Sequence, residues 1–270
     1  MYKVINYTKD VKALLNSNKK SFVFESIING HTYGQIYVNS LDNPELYVVM
    51  DGGNFVLYIG GETADANLYK ECIKFIEEHI LTDELRERFD DHILISYSSD
   101  TIKNEVKNVF KESIVHESVK SLYRYDITQN TQRTLEYDFC DIKTIDQEIL
   151  DSNLENLSEL KNEINGMWGN TKSFIKHGFG YCAVRENKLL SWCTAEFISN
   201  KSCGIGIETV EDEQGKGIAT MVASKFVDKC TEIDLMPYWD SWLKNYPSVK
   251  IAQKVGFDLI EDYEVIVVKF

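Results

Sequence analysis

The stretch from Cys203 to Cys230, CGIGIETVEDEQGKGIATMVASKFVDKC, constrains the fold more than any other part of the chain. It begins with a short apolar strand, Ile205 to Val210, with Ile205 and Ile207 on one face and Glu208 on the other. An acidic loop containing Gly215 and Gly217 follows, from Glu211 to Gly217. From Ile218 the apolar residues recur at spacings of four, Ile218, Val222 and Phe226, with Ala219, Ala223 and Val227 on the next face, which predicts a helix. Strand, glycine loop and helix in that order build an anion site from main chain alone. The first helical turn has unpaired N–H groups and the positive end of the macrodipole. Glycines in the loop permit unusual backbone angles and a close approach by a phosphate.

Two common phosphate loops do not fit. A P-loop needs Gly-Lys followed by Ser or Thr, and Lys216 is followed by Gly217. A dinucleotide fingerprint needs three spaced glycines after a strand, whereas Gly204 and Gly206 lie inside the strand and Thr209 stands at the third position. What does fit is Gln214-Gly215-Lys216-Gly217-Ile218-Ala219. It resembles the Arg/Gln-x-x-Gly-x-Gly/Ala signature of the GNAT superfamily of N-acetyltransferases. A second motif follows in the order that superfamily keeps: Asn245-Tyr-Pro-Ser248, then Lys254-Val-Gly256-Phe257. Its local chemistry is that of a helix with Pro247 at the start, an Ile251/Val255 pair, Lys254 in the last turn and Gly256 just beyond it. Thr231 to Leu235 is taken as the strand between the two helices. The resemblance covers residues 131–270. The chain as a whole is similar to a Firmicute-type group of GNAT proteins with an extra N-terminal half.

The resemblance implies a fold, a coenzyme and roles. The fold is α/β (α+β), a mixed and mostly antiparallel sheet with flanking helices. The coenzyme is acetyl-CoA, with its pyrophosphate at the main chain of Gly215, Lys216, Gly217, Ile218 and Ala219, and Gln214 bracing the loop. Main-chain groups of Thr209 and Val210 would hold the pantetheine arm beside a splayed strand, and an amide there would polarise the thioester carbonyl. Glu208, beside the expected thioester, is the candidate general base; a hydrogen bond or ion pair that braces the loop is the alternative. Glu196 and Asp240 are lesser candidates. Asn245 and Ser248 suit contacts to the coenzyme and suit helix capping equally. Many superfamily members place a Tyr five residues before the final Phe to protonate the thiolate. Here that residue is Ala252, with Tyr238, Tyr246 and Tyr263 as substitutes from elsewhere. Trp168 can line the acceptor pocket or belong to the core.

Composition narrows the class. At 270 residues, 43% hydrophobic and 12% aromatic, the chain can fill one large core or two ordinary ones. No apolar run approaches membrane-spanning length and MYKVINYTKD lacks a signal-peptide core, so no membrane partner and a cytoplasmic location are expected. The net charge of −14, spread over both halves, argues against nucleic acid and is compatible with steering a cationic amine. Cys72, Cys140, Cys182, Cys193, Cys203 and Cys230 show neither C-x-x-C pairing nor metal spacing, and are expected to be reduced thiols. The histidines show no metal spacing either, so no metal is expected.

Along the chain, residues 1–130 are expected to form a smaller α/β domain and residues 131–270 the acetyltransferase domain. Strands are predicted at Phe22–Ile28, Gln35–Asn39, Leu46–Met50 and Phe55–Ile59, separated by turn-forming residues. A helix at Ala64–Glu78, a strand at His92–Tyr97, a helix at Ile102–Phe110 and a strand at Ser121–Ile127 follow. On element order alone, this half reads as a degenerate copy of the second. Its Gly60–Ala66 loop lacks the signature, so no coenzyme is expected there. Beyond a polar linker at Thr128–Thr131, Arg133–Phe139 is read as a strand and Asp146–Ile164 as one or two helices. A break at Gly166–Gly169, a helix closed at Gly178, and a hairpin about Glu186-Asn187 come next.

The functional expectation is transfer of an acetyl group from acetyl-CoA to a primary amine, on a small molecule or a peptide, directly and without a covalent enzyme intermediate. A homodimer is compatible with it. The alternatives are a coenzyme-binding sensor that has lost catalysis, which Ala252 permits, and an interaction module that binds no coenzyme.

Overall fold

Turn chemistry and helix caps divide the chain into elements that repeat in order. The computed structural model describes residues 1–16, 18–82, 92–127 and 140–269. It separates into two units. The first comprises Met1–Ile28, Tyr33–Val119 and Glu264–Phe270; the second comprises Asn29–Thr32 and Lys120–Tyr263. The linker expected at Thr128–Thr131 and the strand expected at Arg133–Phe139 lie outside the described residues.

The first unit runs β1 (Tyr2–Lys3), α1 (Lys9–Asn16), α2 (Ser21–Ile28), β2 (Gly34–Val38), β3 (Leu46–Asp51), β4 (Val56–Gly61), α3 (Ala66–Phe75, continued by a π turn Ile76–Ile80), β5 (His92–Tyr97), α4 (Asp100–Val109) and the start of β6 (Ile114–Arg124). β1 to β4 pair antiparallel in order, and β5 joins β4 in parallel after the α3 crossover. On its other side β5 pairs antiparallel with residues 265–269 of the last strand of the chain, β12 (Asp258–Lys269). The Phe22–Ile28 segment is helical, not a strand. Asn18 makes the difference: its side chain accepts from Lys20 N–H at 2.8 Å and its carbonyl from Ser21 N–H at 3.0 Å, a turn that winds the chain into α2. Phe22, Val23, Phe24, Ser26 and Ile27 are all buried, so no alternation or helical stripe shows in the sequence.

The second unit repeats that order with β7 (Asp141–Thr144), α5 (Gln147–Leu150), α6 (Leu157–Trp168), α7 (Thr171–His177), β8 (Gly180–Arg185), β9 (Lys188–Ile198), β10 (Ser202–Thr209), α8 (Ile218–Glu232), β11 (Met236–Trp242) and α9 (Tyr246–Val255), closing with the start of β12. β7 to β10 are antiparallel, β11 is parallel to β10, and residues 120–124 of β6 pair antiparallel with β11. The β8–β9 hairpin turns on Glu186 and Asn187, both at positive φ (50° and 64°), the geometry that two-residue hairpin loops require. Two boundaries differ from expectation. Thr231–Leu235 is the end of α8 and its stop, not a strand. Cys230 is still a core residue, the Thr231 hydroxyl bonds the Val227 carbonyl, and Asp234 at φ 56° with Leu235 N–H on Cys230 O closes the helix. The intervening strand is β11 itself. Gly166 sits inside α6, where a side chain would meet nothing within 4 Å, and the helix ends at Gly169 (φ 75°). One core unites the inner faces: Leu160, Ile164 and Phe174 from α6 and α7, Trp192 from β9, Val222 and Phe226 from α8, and Trp239 and Phe257.

Among the described residues no helix is long and apolar enough to cross a membrane, and no group of three or more His, Cys, Asp or Glu could hold a metal.

Candidate active site

The site is a consequence of where β10 and β11 part. Their parallel pairing is confined to Ser202–Gly204 against Met236–Tyr238. Beyond it β10 stays with β9 through Thr209, while β11 follows β6 through Trp242. The two strands therefore splay. The amides that open onto the gap follow from the antiparallel register. Val210 N–H donates to Leu190 O at 3.0 Å, so Val210, Glu208 and Gly206 direct their main-chain groups toward β9. Ile205, Ile207 and Thr209 direct theirs the other way, into the gap between β10 and β11. Val210, assigned with Thr209 to the pantetheine arm, thus has its N–H on β9 and its carbonyl on Glu213 N–H at 2.9 Å.

The wide end of the gap carries the loop. A 3₁₀ turn at Glu211–Glu213 leads to Gly215 (φ 75°) and Gly217 (φ 85°). Both are left-handed and neither would clash if given a Cβ, so glycine is needed here for backbone angle and not for room. Gly217 is the N-cap of α8 and no side chain caps that helix. The amides of Ile218, Ala219 and Thr220 in the first turn are left to whatever occupies the loop. Gln214 reaches back with its side-chain amide to the Thr209 carbonyl at 3.2 Å, tying loop to strand. Glu213, almost fully buried, lies between Arg185 (2.8 Å) and Lys216 (3.1 Å). These two cations, Lys216 first, hold its carboxyl below the ordinary value. Lys216 is half-exposed and occupied by this pair.

At α9 the cap is Asn245, whose side chain accepts from Ser248 N–H at 3.3 Å. The Ser248 hydroxyl accepts the Trp239 indole N–H at 2.9 Å. Ala252 is completely buried, and its carbonyl receives the N–H groups of Gly256 and Phe257 that end the helix. Of the tyrosines, Tyr263 donates to Asp240 at 2.6 Å, Tyr246 is 65% exposed, and Tyr238 stands where the strands begin to part. Asp240 also faces Lys120 at 3.3 Å. Trp168 is a core residue, its indole N–H on Ala195 O at 2.9 Å and its ring edge-on to Phe174.

The opposite face of β9 and β10 from α8 carries Trp192, Thr194 and Glu196 beside Gly206 and Glu208, by strand alternation. Glu208 is exposed, and one of its oxygens accepts Thr209 N–H at 3.2 Å. Glu163, from α6, is the residue that sequence reasoning missed. It accepts the Trp192 indole N–H at 2.6 Å and the Thr194 hydroxyl at 2.9 Å. Burial raises its pKa, the two hydrogen bonds oppose this, and the Glu208 charge adds to the rise. The signal was present: Glu163 occupies the inward stripe of α6 between Leu160 and Met167, where an apolar residue belongs. Arg185 as a loop brace had no comparable signal.

A parallel strand pair opened above a glycine loop and an uncapped helix, closed by a second helix ending Lys-x-Gly-Phe, defines an acetyltransferase class. The GNAT acetyltransferase profile matches residues 12–266, and the chain belongs to that family. The chain is 24% identical over 246 residues to the uncharacterized N-acetyltransferase YdfB of Bacillus subtilis (strain 168), covering 91% of this chain and 89% of that one. Among solved structures it is similar to a GCN5-related N-acetyltransferase-like protein of Streptococcus suis (17% identity, 96% and 97% of the chains, TM-score 0.67). It is also similar to a tandem GNAT protein from the clavulanic acid biosynthesis pathway (8% identity, 92% and 87%, TM-score 0.58). The profile spans both units.

Proposed function

We propose that the second unit transfers an acetyl group from acetyl-CoA to a primary amine, of a small molecule or a peptide. The splay of β10 from β11 carries this reading, because it exposes a row of strand amides that an extended pantetheine can pair with as an added strand. The pyrophosphate would rest on the first-turn amides of α8, around Gly215 to Ala219, with Gln214 and the Arg185–Glu213–Lys216 pairings holding the loop in shape. Ile207 would bond the arm more readily than Thr209, whose N–H goes to the Glu208 side chain, or Val210, whose N–H goes to Leu190. An amide from this row at the thioester carbonyl would contribute roughly 3 kcal/mol to the transition state. Asn245 and Ser248 would flank the arm from the start of α9. The amine would come from the α6 side, where Glu208 accepts the proton it gives up and passes it to solvent. The net reaction forms the C–N bond, breaks the C–S bond and releases coenzyme A as thiolate.

The N-terminal unit supports the contrast. There β4 and β5 pair from Val56 to Ile59 with Ser98 N–H continuing on Ile59 O, so no comparable gap opens. The α3 helix is capped by the Asp65 carboxylate, which would repel a phosphate.

Calorimetric titration of acetyl-CoA into the protein and into Gly217→Glu tests the proposal. Micromolar binding to the unaltered protein that is abolished by the bulk and charge of the new side chain is the expected result. No binding to the unaltered protein would remove the enzyme and the sensor readings together.

A further inference from the structure

Glu163 is built for more than holding a helix to a sheet. A carboxylate on an inward helical stripe is costly to desolvate, and a neutral pair at the same place would join α6 to β9 at lower cost. Both its oxygens are oriented by donors of β9, the Trp192 indole and the Thr194 hydroxyl. Those two residues are the register partners of Glu208 and Gly206 on β10, the strand whose next amides open onto the gap. Gly206 lets its neighbours on β9 close over it: a Cβ there would stand 2.8 Å from a Glu196 carboxylate oxygen and 3.1 Å from the Thr194 hydroxyl. The Thr194 hydroxyl therefore stands over Gly206 of β10 and donates to the Glu163 carboxylate on its other side.

We propose that Glu163 is the inner proton acceptor, taking the first proton of the ammonium across the Thr194 hydroxyl, with Glu208 as the outer acceptor of the second, each returning its proton to solvent before the next turnover. The inference rests on the acetyl-transfer reading above. In the step, the ammonium gives a proton to Thr194 Oγ1 as Thr194 gives its own to Glu163. The neutral amine then attacks the thioester carbon, coenzyme A leaves as a thiolate, and the second amine proton goes to Glu208 or water. The groups that face Glu163 fit an acceptor and not an ion pair. Glu208 on β10 disfavours its charged form, while Trp192 and Thr194 support it. Burial is the largest of these influences, so Glu163 takes up a proton more readily than an exposed carboxylate.

Two measurements on the full chain decide the matter. In the first, the Glu163 carboxyl is assigned by comparing ¹³C-glutamate spectra of the protein and Glu163→Gln, then titrated with and without acetyl-CoA. A midpoint above that of the exposed glutamates is expected; a midpoint among them overturns the proposal whatever the protein acetylates. In the second, acetyl-CoA consumption is followed with butylamine, a strongly basic probe, and with trifluoroethylamine, which is already neutral near pH 8. Glu163→Gln should lose butylamine turnover by about a hundredfold, with the ascending limb of its pH profile, and keep most of that with trifluoroethylamine. Equal loss with both probes would mean that Glu163 only positions α6, and would overturn the proposal. Thr194→Val should follow Glu163→Gln, and Thr194→Ser should restore the butylamine rate. If neither probe is consumed by the unaltered protein although acetyl-CoA binds, it is the amine-transfer reading that falls, and the carboxyl titration still decides whether Glu163 is the proton-accepting group.

Discussion

Ala252 shows how packing can close a position to a larger side chain. It is completely enclosed, between the end of α9 and the core that includes Trp239 and Phe257. A tyrosine cannot be restored there without displacing neighbours. Ala252→Tyr should cost about 1–3 kcal/mol and lower Tm by roughly 5 °C, read by calorimetry, with no gain in acetyl transfer. Glu213 makes a second residue-level case. Its carboxyl is held below the ordinary value of 4.5 by Lys216 and Arg185, so the folded protein binds fewer protons than the unfolded chain as pH falls past that value. Its contribution is present above that range and is lost as pH drops through the lowered folded value. The urea midpoints of Glu213→Gln and the unaltered protein should therefore differ at about pH 7 and draw together as the pH falls below the ordinary value.

At the level of elements, α9 separates capping from coenzyme contact. Asn245→Ala removes a cap worth about 1 kcal/mol. Ser248→Ala strands the buried Trp239 indole N–H, at about 1–3 kcal/mol. Both losses should appear in thermal melts. A fall in acetyl-CoA affinity measured at a temperature where both variants stay folded would show that the residues also touch the coenzyme, and unchanged affinity would assign them to the helix alone. Elements that announce themselves by period or punctuation were legible beforehand. The Glu186-Asn187 hairpin, the Gly217 start of α8 and the Gly256 end of α9 are local events, written in residues that few other conformations accept. The α2 helix was not legible, because neighbours cover several of its sides and erase the stripe. Nor was the stop of α8, since Thr231 and Ile233 suit a strand equally well and only Asp234 at positive φ ends the helix. In the site, the glycine loop stood in the sequence, but the splay of β10 depends on pairing partners far along the chain. Glu163 reaches it from another element altogether.

At the level of the whole molecule, each half of the sequence lends a strand to the unit built mainly by the other. Residues 265–269 complete the sheet at β5, and residues 120–124 complete the other at β11. Separate expression of 1–130 and 140–270 should give two poorly soluble fragments, each sheet lacking the strand that the other fragment carries. Mixing them during refolding should recover soluble protein that binds acetyl-CoA, as size-exclusion chromatography and titration would report. Two freely soluble, monomeric fragments would contradict the exchange. The same arrangement gives translation an unusual timetable. The first unit is nearly all synthesised before the second begins, yet its Ile93 and Ile95 strand waits for Val265–Lys269, which are made only after the second unit is complete. A chain cut short before Val265 would thus carry its defect in a part made long before the cut. That defect is a bare apolar edge, the kind of surface that chaperones and proteases act on first.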